Sequence, residues 1–221
     1  MKIPFFFVGS CIGSLLNVIC YRIQRGEDFV SGRSRCDHCG KTLSFMDMVP
    51  IVSWLLFRGK CRYCGKRIPA GYPITELVTG IISVLLLDKG GYEAVLCWIQ
   101  AMILVLIALF DMETMEFPSV LTYLLMLSGV MMSFVNNVSI MARVIGAVSI
   151  SIPMMFICKR GLVGDGNVLI FAITGWTYGY MFLFRAVIIS SVAGLIYSLA
   201  TKKQRIPFCP FLAFGIIVSM L

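Results

Sequence analysis

Four of the nine cysteines stand in two CxxC pairs, the pattern that points most directly to chemistry in this sequence of 221 residues. The pairs are Cys36-Asp37-His38-Cys39 and Cys61-Arg62-Tyr63-Cys64, with residues 40–60 between them. A glycine and a lysine follow each pair, which indicates two knuckles of one shape, because glycine permits the tight turn behind each pair. Four thiolates satisfy the tetrahedral preference of zinc and close its coordination sphere, so the pattern predicts a structural zinc site.

The alternative for these four cysteines is two disulfides or free thiols. The cytosol keeps thiols reduced, so two CxxC pairs in a cytoplasmic loop favour a metal over cystine. His38 could replace one cysteine as a ligand, although a residue inside a CxxC pair usually points away from the metal. The other five cysteines lie in or beside apolar runs, where a thiol behaves as a small hydrophobe: Cys11, Cys20, Cys97, Cys158 and Cys209.

His38 is the only histidine, and this excludes several classes of hydrolase. An HExxH metalloprotease needs two histidines, and Ser-His or Cys-His enzymes need one beside the nucleophile. A protease with this sequence would therefore use aspartates or a Ser-Lys pair. The Ser-Lys alternative is the weaker one, because Lys159 and Lys202 lie in basic loops without a matched serine.

Asp111 and Asp165 are the natural aspartyl pair. Asp111 follows the apolar run 101–110, and Asp165 lies in Gly164-Asp165-Gly166-Asn167 before a second apolar run. Two carboxyls within hydrogen-bonding reach do not both ionise easily, so one activates water while the other protonates the scissile carbonyl. The flanking glycines would let a substrate backbone approach closely.

Each aspartate also has a non-catalytic interpretation. Asp165 precedes an apolar run, as the N-cap residue of a helix does. Asp111 could mark the end of a membrane span at the water interface. The residues alone leave both interpretations open.

The elements that must position these residues are apolar helices. Hydrophobic residues make up 59% of the chain and charged residues only 14%, with a mean hydropathy of +0.91. A soluble domain carries about 25% charged residues, so we predict an all-α polytopic membrane protein with about eight transmembrane helices. The expected spans are residues 3–20, 74–88, 94–110, 118–135, 140–157, 166–181, 183–200 and 207–221.

The distribution of basic residues predicts the orientation. Ten of the nineteen basic residues lie between Arg22 and Arg67, and five more fall in later connections on the same predicted side. The exceptions are Lys2, Lys89, Arg143 and Arg185. Because basic residues concentrate in cytoplasmic loops, we expect the cysteine domain inside and the N-terminus outside. The net charge of +8 thus reflects topology, and no nucleic-acid partner is predicted.

Three parts follow from this pattern: a first span in residues 1–21, a cytoplasmic double-CxxC zinc domain in 22–73, and a transmembrane aspartyl peptidase domain in 74–221. One predicted cytoplasmic connection, 111–117, carries three acids and no base. Such a connection suits a basic ligand or carboxylate chemistry.

The whole arrangement resembles the type IV prepilin peptidase family, also called leader peptidase/N-methyltransferase. The N-terminal likeness covers about residues 5–80 and includes the double CxxC motif. It also includes Gly9-Ser10, Gly13-Ser14, Asn17-Val18, Tyr21-Arg22, Val49-Pro50-Ile51-Val52-Ser53-Trp54, Arg58-Gly59-Lys60-Cys61, Ile68, Pro73 and Glu76.

The C-terminal likeness is shorter and falls on the two aspartates. Asp111 with Pro118 resembles the first catalytic motif of the family, and Gly164-Asp165 resembles the second. The resemblance therefore implies Asp111 and Asp165 as the catalytic pair. Two departures stand beside it: Asn167 replaces a lysine that the family commonly has, and Leu162-Val163-Gly164 replaces Gly-x-Gly.

The resemblance implies an aspartic endopeptidase of the bacterial inner membrane with its active site at the cytoplasmic face. Its substrates would be type IV prepilins or pseudopilins, cut after a glycine that ends a short basic leader. N-methylation of the new terminus with S-adenosylmethionine would follow, although no glycine-rich cofactor loop is present. A non-enzymatic zinc-bearing scaffold and an enzyme dominated by its methyltransferase activity are the competing hypotheses.

Overall fold

The computed structural model describes residues 2–30, 32–160, 164–202 and 206–221. Leu162-Val163 and parts of two predicted basic connections lie outside these residues. The described chain is all-helical, as predicted, with one 3₁₀ helix at Phe45–Met48 and two isolated β-bridges. Its helices are α1 (Lys2–Gln24), α2 (Val52–Leu56), α3 (Gly71–Leu87), α4 (Gly91–Thr114), α5 (Ser119–Val135), α6 (Ile140–Ser149), α7 (Ser151–Cys158), α8 (Asp165–Tyr178), α9 (Tyr180–Thr201) and α10 (Cys209–Met220).

The chain divides into two compact units, Met1–Asp88 and Lys89–Leu221. In the first unit α1 packs closely against α3, because small residues line both helices. A Cβ atom at Gly9 would lie 2.6 Å from the carbonyl oxygen of Thr79, and one at Gly13 would lie 2.1 Å from the Thr79 hydroxyl. Close approach through small residues is the usual way in which apolar helices associate in a membrane.

The segment between α1 and α3 is a small domain held by a few polar contacts. The Asp47 carboxylate accepts hydrogen bonds from the Ser44 backbone N–H at 2.9 Å and from the Tyr63 hydroxyl at 3.0 Å. These donors outweigh the opposing effect of burial and lower the pKa of Asp47. The contacts link the 3₁₀ helix to the second CxxC pair, so this domain does not depend on a large apolar core.

The second unit contains α4–α10, and a buried arginine joins the ends of two of its helices. Arg143 is 5% exposed, although it is one of the basic residues that we predicted for outer loops or span ends. Its guanidinium donates to the carbonyl oxygens of Ser133 at 2.8 Å and of Trp176 at 3.4 Å. Both carbonyls lie in the last turns of α5 and α8, where backbone oxygens lack helical partners. A buried charge is thus compensated by helix C-termini.

In the described residues, four helical segments are long and apolar enough to cross a membrane: Lys2–Gln24, Gly91–Thr114, Ile140–Cys158 and Tyr180–Thr201. The same residues include three shorter apolar helices, α3, α5 and α10. The eight predicted spans are therefore not confirmed. The predicted span 166–181 corresponds mainly to the 14 residues of α8, which extend about 21 Å against a hydrocarbon core of about 30 Å.

One predicted connection is also shorter than expected. α4 continues through Thr114, so Asp111 lies in the last helical turn and not in a loop. The helix ends at Met115, which adopts a left-handed conformation with φ of 58°. The remaining connection, residues 115–118, retains only Glu116 of the three acids.

The crossing of α6 and α8 provides a test of the packing. A Cβ atom at Gly175 would lie 2.2 Å from the Gly146 carbonyl oxygen, a backbone atom that cannot rotate away. We expect Gly175→Ala to lower the free energy of unfolding by about 1–3 kcal/mol, because overpacking forces the backbone to shift. Thermal unfolding of the purified protein in detergent would measure the loss.

The matched control is Gly194→Ala in α9, where the added Cβ would meet the Phe211 ring at an ordinary 3.6 Å. Alanine is the better helix former, so this variant should unfold at or slightly above the wild-type temperature. Equal unfolding temperatures for the two variants would contradict the close backbone contact between Gly146 and Gly175.

Candidate functional site

The four CxxC cysteines come together in one group. Their Sγ atoms all lie within 4.8 Å of one another, and all four thiols are free. The sulfurs of Cys36 and Cys64 are 3.9 Å apart. Four sulfurs about 2.3 Å from a central zinc ion would be separated by about 3.8 Å. The group can hold a metal, as the spacing predicts.

The two pairs are built by the same backbone pattern. In the first, the Cys36 N–H donates to the Lys41 carbonyl at 2.9 Å and the Gly40 N–H donates to the Cys36 carbonyl at 2.9 Å. In the second, Cys61 donates to Lys66 at 2.8 Å and Gly65 donates to Cys61 at 2.9 Å. Gly40 and Gly65 have φ of 69° and 71°, a conformation that glycine adopts without steric cost. The predicted pair of knuckles is therefore present.

The thiols influence one another's protonation. Burial alone would raise the pKa of Cys36, but backbone N–H donors of Cys39 and His38 and the adjacent thiols lower it to about 7. A backbone donor favours the thiolate of Cys64, but desolvation and the other three thiols raise its pKa to about 11. One thiolate thus forms easily, whereas several together need a cation. A bound metal ion would supply that charge, since cysteine binds metals as the thiolate.

His38 is exposed and is not a member of this group in the described part of the chain. The sulfurs alone provide the four ligands that a tetrahedral metal ion takes. The alternative in which His38 replaces a cysteine is therefore not favoured by the geometry.

Asp111 lies in the last turn of α4 with 5% of its surface exposed. Its Oδ2 accepts a hydrogen bond of 2.9 Å from the backbone N–H of Cys209, the first residue of α10. A carboxylate at a helix N-terminus meets unpaired N–H groups and the positive end of the helix dipole. These donors offset part of the cost of burying the Asp111 carboxyl group. The interpretation of Asp111 as a simple marker of the water interface does not account for this burial.

Cys209 also connects Asp111 to the first turn of α8. Its Sγ donates to Oδ1 of Asn167 at 2.9 Å, and both residues are buried. Asn167 is two residues beyond Asp165 in the same turn. Cys209 thus brings the end of the helix that carries Asp111 to the beginning of the helix that carries Asp165.

Asp165 is exposed and is the first residue of α8. The N-cap residue is Gly164, so the interpretation of Asp165 as the N-cap is wrong. The Asp165 carboxylate instead accepts a hydrogen bond of 2.8 Å from the Cys158 thiol at the end of α7. Its negative charge in the first turn of a helix is favourable. The recorded hydrogen bonds give the two aspartates different partners, and their pairing as a proton-sharing dyad stays a prediction.

The glycines beside Asp165 differ in their surroundings. A Cβ atom at Gly166 would lie 2.3 Å from the ring of Phe117, so this glycine makes room for Phe117. Among the described residues, the atom nearest to a Cβ at Gly164 would be the Asn167 amide nitrogen at 3.8 Å. The Phe117 ring therefore fills the space beside Gly166 in which a substrate backbone was expected to approach.

The sequence interpretation missed the roles of two cysteines. The sequence predicts small hydrophobes in apolar runs at Cys158 and Cys209, but each donates a thiol hydrogen bond to a polar side chain in the first turn of α8. The pattern offered one hint for Cys209, its position beside Pro210 at the start of an apolar run. The sequence contained nothing that paired Cys209 with Asp111.

Two family models match the chain. The Bacterial Peptidase A24 N-terminal domain matches residues 7–89, and the Type IV leader peptidase family matches residues 98–199. The first range includes the cysteine group and the second includes both aspartates. No solved structure matches the chain.

Several curated proteins are similar over most of the chain. A prepilin leader peptidase/N-methyltransferase of Burkholderia pseudomallei (strain 1026b) is 33% identical over 97% of this chain and 84% of its own length. A protein of the same name from Bacillus subtilis is 28% identical over 98% of the chain and 92% of its own length. Another from Myxococcus xanthus is 30% identical over 90% of the chain, which spans 63% of that relative. With both family models and these relatives in agreement, the chain belongs to the type IV leader peptidase family.

Proposed function

We propose that this protein is an aspartic endopeptidase that removes the short leader peptides of type IV prepilins and pseudopilins. The observation that carries the proposal is the environment of Asp111: a buried carboxylate at a helix end, joined through Cys209 to the turn that begins with Asp165. The matched relatives are named prepilin leader peptidases. The single histidine leaves carboxylates as the residues best suited to peptide hydrolysis.

In the proposed mechanism Asp111 and Asp165 share one proton. The ionised carboxyl takes a proton from water, which attacks the scissile carbonyl carbon, and the protonated carboxyl donates to the carbonyl oxygen. The buried Asp111 and the exposed Asp165 have different environments, and such a difference favours separate acid and base roles. Cys209 and Cys158 hold the two carboxyls through hydrogen bonds.

The proposed cut follows a glycine at the end of a short basic leader, next to a hydrophobic stretch. Glu113 and Glu116 are both exposed near the C-terminal end of α4, so they are available to a basic leader. Their negative charge would attract lysine and arginine side chains of the substrate.

The cysteine group is proposed to hold a structural zinc ion. Sulfur ligands at tetrahedral spacing match zinc, and four protein ligands leave no open position for catalysis. The metal would hold the two knuckles together in a domain with few apolar contacts. The division of the chain into residues 1–21, 22–73 and 74–221 remains part of this proposal.

N-methylation of the new amino terminus with S-adenosylmethionine is proposed as a second activity, since the matched relatives are named N-methyltransferases. The sulfonium group of that cofactor would supply the methyl group. The apolar helices and the concentration of basic residues in 22–67 support a multi-pass protein of the bacterial inner membrane with the cysteine domain and the aspartates at the cytoplasmic face.

The first prediction concerns the aspartyl pair. Asp111→Asn and Asp165→Asn should each lower the rate of prepilin cleavage by at least about 10²-fold, because each removes one proton donor or acceptor. Cleavage of a prepilin substrate in membranes with equal amounts of each variant would measure this. Asp88→Asn, which removes a carboxylate paired with Lys2 at 3.9 Å, should cleave at the wild-type rate. Cleavage retained by either catalytic variant would remove that residue from the mechanism.

A second prediction concerns recognition of the leader. Replacing Glu113 and Glu116 together by alanine should raise KM for prepilin by about threefold to tenfold with little change in kcat, because the exposed charges act in binding. Added salt should reduce the difference between variant and wild type. Glu93→Ala, which removes one carboxylate from the first turn of α4, serves as a control at the opposite end of the helix and should leave KM unchanged. Unchanged kinetics in the double variant would rule out the acidic docking of the leader.

A third prediction concerns the metal. The purified protein should contain one zinc ion per chain by elemental analysis, and Cys36→Ser or Cys61→Ser should lose it, because serine is a poor zinc ligand. Cys11→Ser, which changes an exposed cysteine of α1, should retain full zinc content. Purification of a metal-free wild-type protein with four intact thiols would contradict the proposal that the cysteine group holds zinc. If zinc loss leaves cleavage intact while the aspartates are essential, the non-enzymatic scaffold hypothesis also fails.

A further inference from the structure

An exposed apolar patch lies on the small domain of the first unit and contains none of the proposed catalytic or metal-binding residues. Two short helical segments that pack on each other form it, the 3₁₀ helix at Phe45–Met48 and α2. Its members share a large apolar side chain and are each 40% exposed or more: Phe45, Met46, Met48, Val52, Leu55 and Leu56. Exposed apolar side chains that adjoin one another mark an interaction surface. This apolar patch therefore requires a partner.

Two hydrogen bonds fix α2 beside the beginning of α3. The N–H of Ile51, the residue before α2, donates to Oε2 of Glu76 at 2.6 Å. The Trp54 indole N–H donates at 3.2 Å to the carbonyl oxygen of Ile68, three residues before α3 begins. Glu76 is the sixth residue of α3, about 8 Å along the helix from its first residue. The N-terminal end of α2 therefore lies alongside the first two turns of α3.

The exposed apolar face of α3 begins at the same level. Ile74 is 57% exposed, and the face continues through Leu77, Val78 and Ile81. Residues spaced by three and four lie on one side of a helix. This face belongs to the predicted span 74–88, so the boundary of the bilayer falls near Ile74. The hydrogen bond between Ile51 and Glu76 thus holds the beginning of α2 at the depth of the membrane–water interface.

Positive charge lies beside the apolar patch. Residues 58–67 follow α2 closely and contain no acid, and their five basic residues are all exposed: Arg58, Lys60, Arg62, Lys66 and Arg67. The Tyr63 hydroxyl donates to Asp47 of the 3₁₀ helix at 3.0 Å, so this basic segment contacts the patch segments in space as well. Asp47 is the only acid between residues 44 and 67. An apolar surface bordered by exposed cations is typical of elements that lie in the interface of an anionic membrane.

The same charges disfavour a protein partner. The leader of the proposed prepilin substrate is basic, and five exposed cations would repel it. A second copy bound through this patch would place the same surface on both sides of the interface and set cation against cation. The phosphate groups of anionic lipids complement the charge instead. The apolar helices α1 and α3 continue from both ends of the domain and keep it next to the bilayer.

We propose that the apolar patch and the basic segment 58–67 form an interfacial anchor that binds an anionic membrane surface. Leu55 and Leu56 insert among the headgroups and upper acyl chains, and Phe45 inserts beside them. Arg58 and Lys60 bind the lipid phosphates. The anchor fixes the small domain against the membrane, so the domain does not swing on its connections to α1 and α3. The inference goes beyond the proposed peptidase and methyltransferase activities and requires only that α1 and α3 lie in a membrane.

Photochemical cross-linking of the full-length protein in lipid nanodiscs tests the anchor. Leu56→p-benzoylphenylalanine places a photoreactive ring on the patch, and we expect adducts with lipid acyl chains in mass spectrometry. The same replacement at His38, an exposed residue of the first knuckle outside the patch, should give at most about one tenth as much lipid adduct. Nanodiscs of phosphatidylcholine with about one third phosphatidylglycerol should give at least about threefold more adduct at position 56 than phosphatidylcholine alone.

Removal of the charges separates the two parts of the anchor. In the chain with the photoreactive residue at position 56, Arg58→Gln with Lys60→Gln should lower the adduct in anionic nanodiscs at least about threefold. The adduct in phosphatidylcholine alone should not change, because neutral lipids do not attract the cations. Lys159→Gln with Arg160→Gln removes two exposed basic residues of the second unit and should leave the adduct unchanged in both lipids.

The unfolding temperature in the same lipids shows whether each variant is folded, and Phe45→p-benzoylphenylalanine provides a second site on the patch if the Leu56 variant is not. Absence of lipid adducts from a folded patch variant overturns the inference. Adducts that join two copies of the chain overturn it in favour of a dimer interface. Equal adduct in neutral and anionic nanodiscs, with no effect of the Arg58 and Lys60 substitutions, overturns the binding of anionic headgroups.

Discussion

The carboxylate of Asp111 is buried in a unit made almost entirely of apolar helices, and this placement constrains the structure around it. A buried charge costs several kcal/mol unless hydrogen bonds and nearby dipoles compensate it. The first N–H of α10 provides part of that compensation at 2.9 Å. The beginning of α10 must therefore meet the end of α4, and the thiol of Cys209 extends the same contact to Asn167 in α8.

Small residues let the helices approach closely enough for such polar contacts to form. Where α6 crosses α8, Gly146 and Gly175 bring the two backbones so close that neither position has room for a Cβ atom. Gly215 has the same role between α10 and α9, where an added Cβ would lie 2.3 Å from the Ala186 carbonyl oxygen. Packing of this kind replaces the hydrophobic driving force that is absent between helices in lipid. It fixes the ends of the helices, and the ends carry the functional side chains.

The small domain of the first unit is stabilised by other interactions than helix packing. This domain between α1 and α3 has few buried apolar residues, so the thiol group, the Asp47 hydrogen bonds and the Glu76–Ile51 contact hold it together. A cavity lies among these contacts. Several residues that carry the N-terminal resemblance are far apart in the sequence but line this one cavity.

The sequence by itself determined the helical class, the cysteine knuckles and the residues available for catalysis. Those features depend on composition and on spacings of a few residues, which local chemistry constrains. The count of eight spans is not confirmed, and the predicted end of the span at residue 110 is wrong because α4 continues through Thr114. Helix boundaries depend on packing and on the backbone partners at each end. The roles of Cys209 and Asn167 arise from contacts across 42 residues of sequence, and the cavity arises from three separated segments. Only the tertiary structure decided these, because no local pattern specifies which distant side chains will meet.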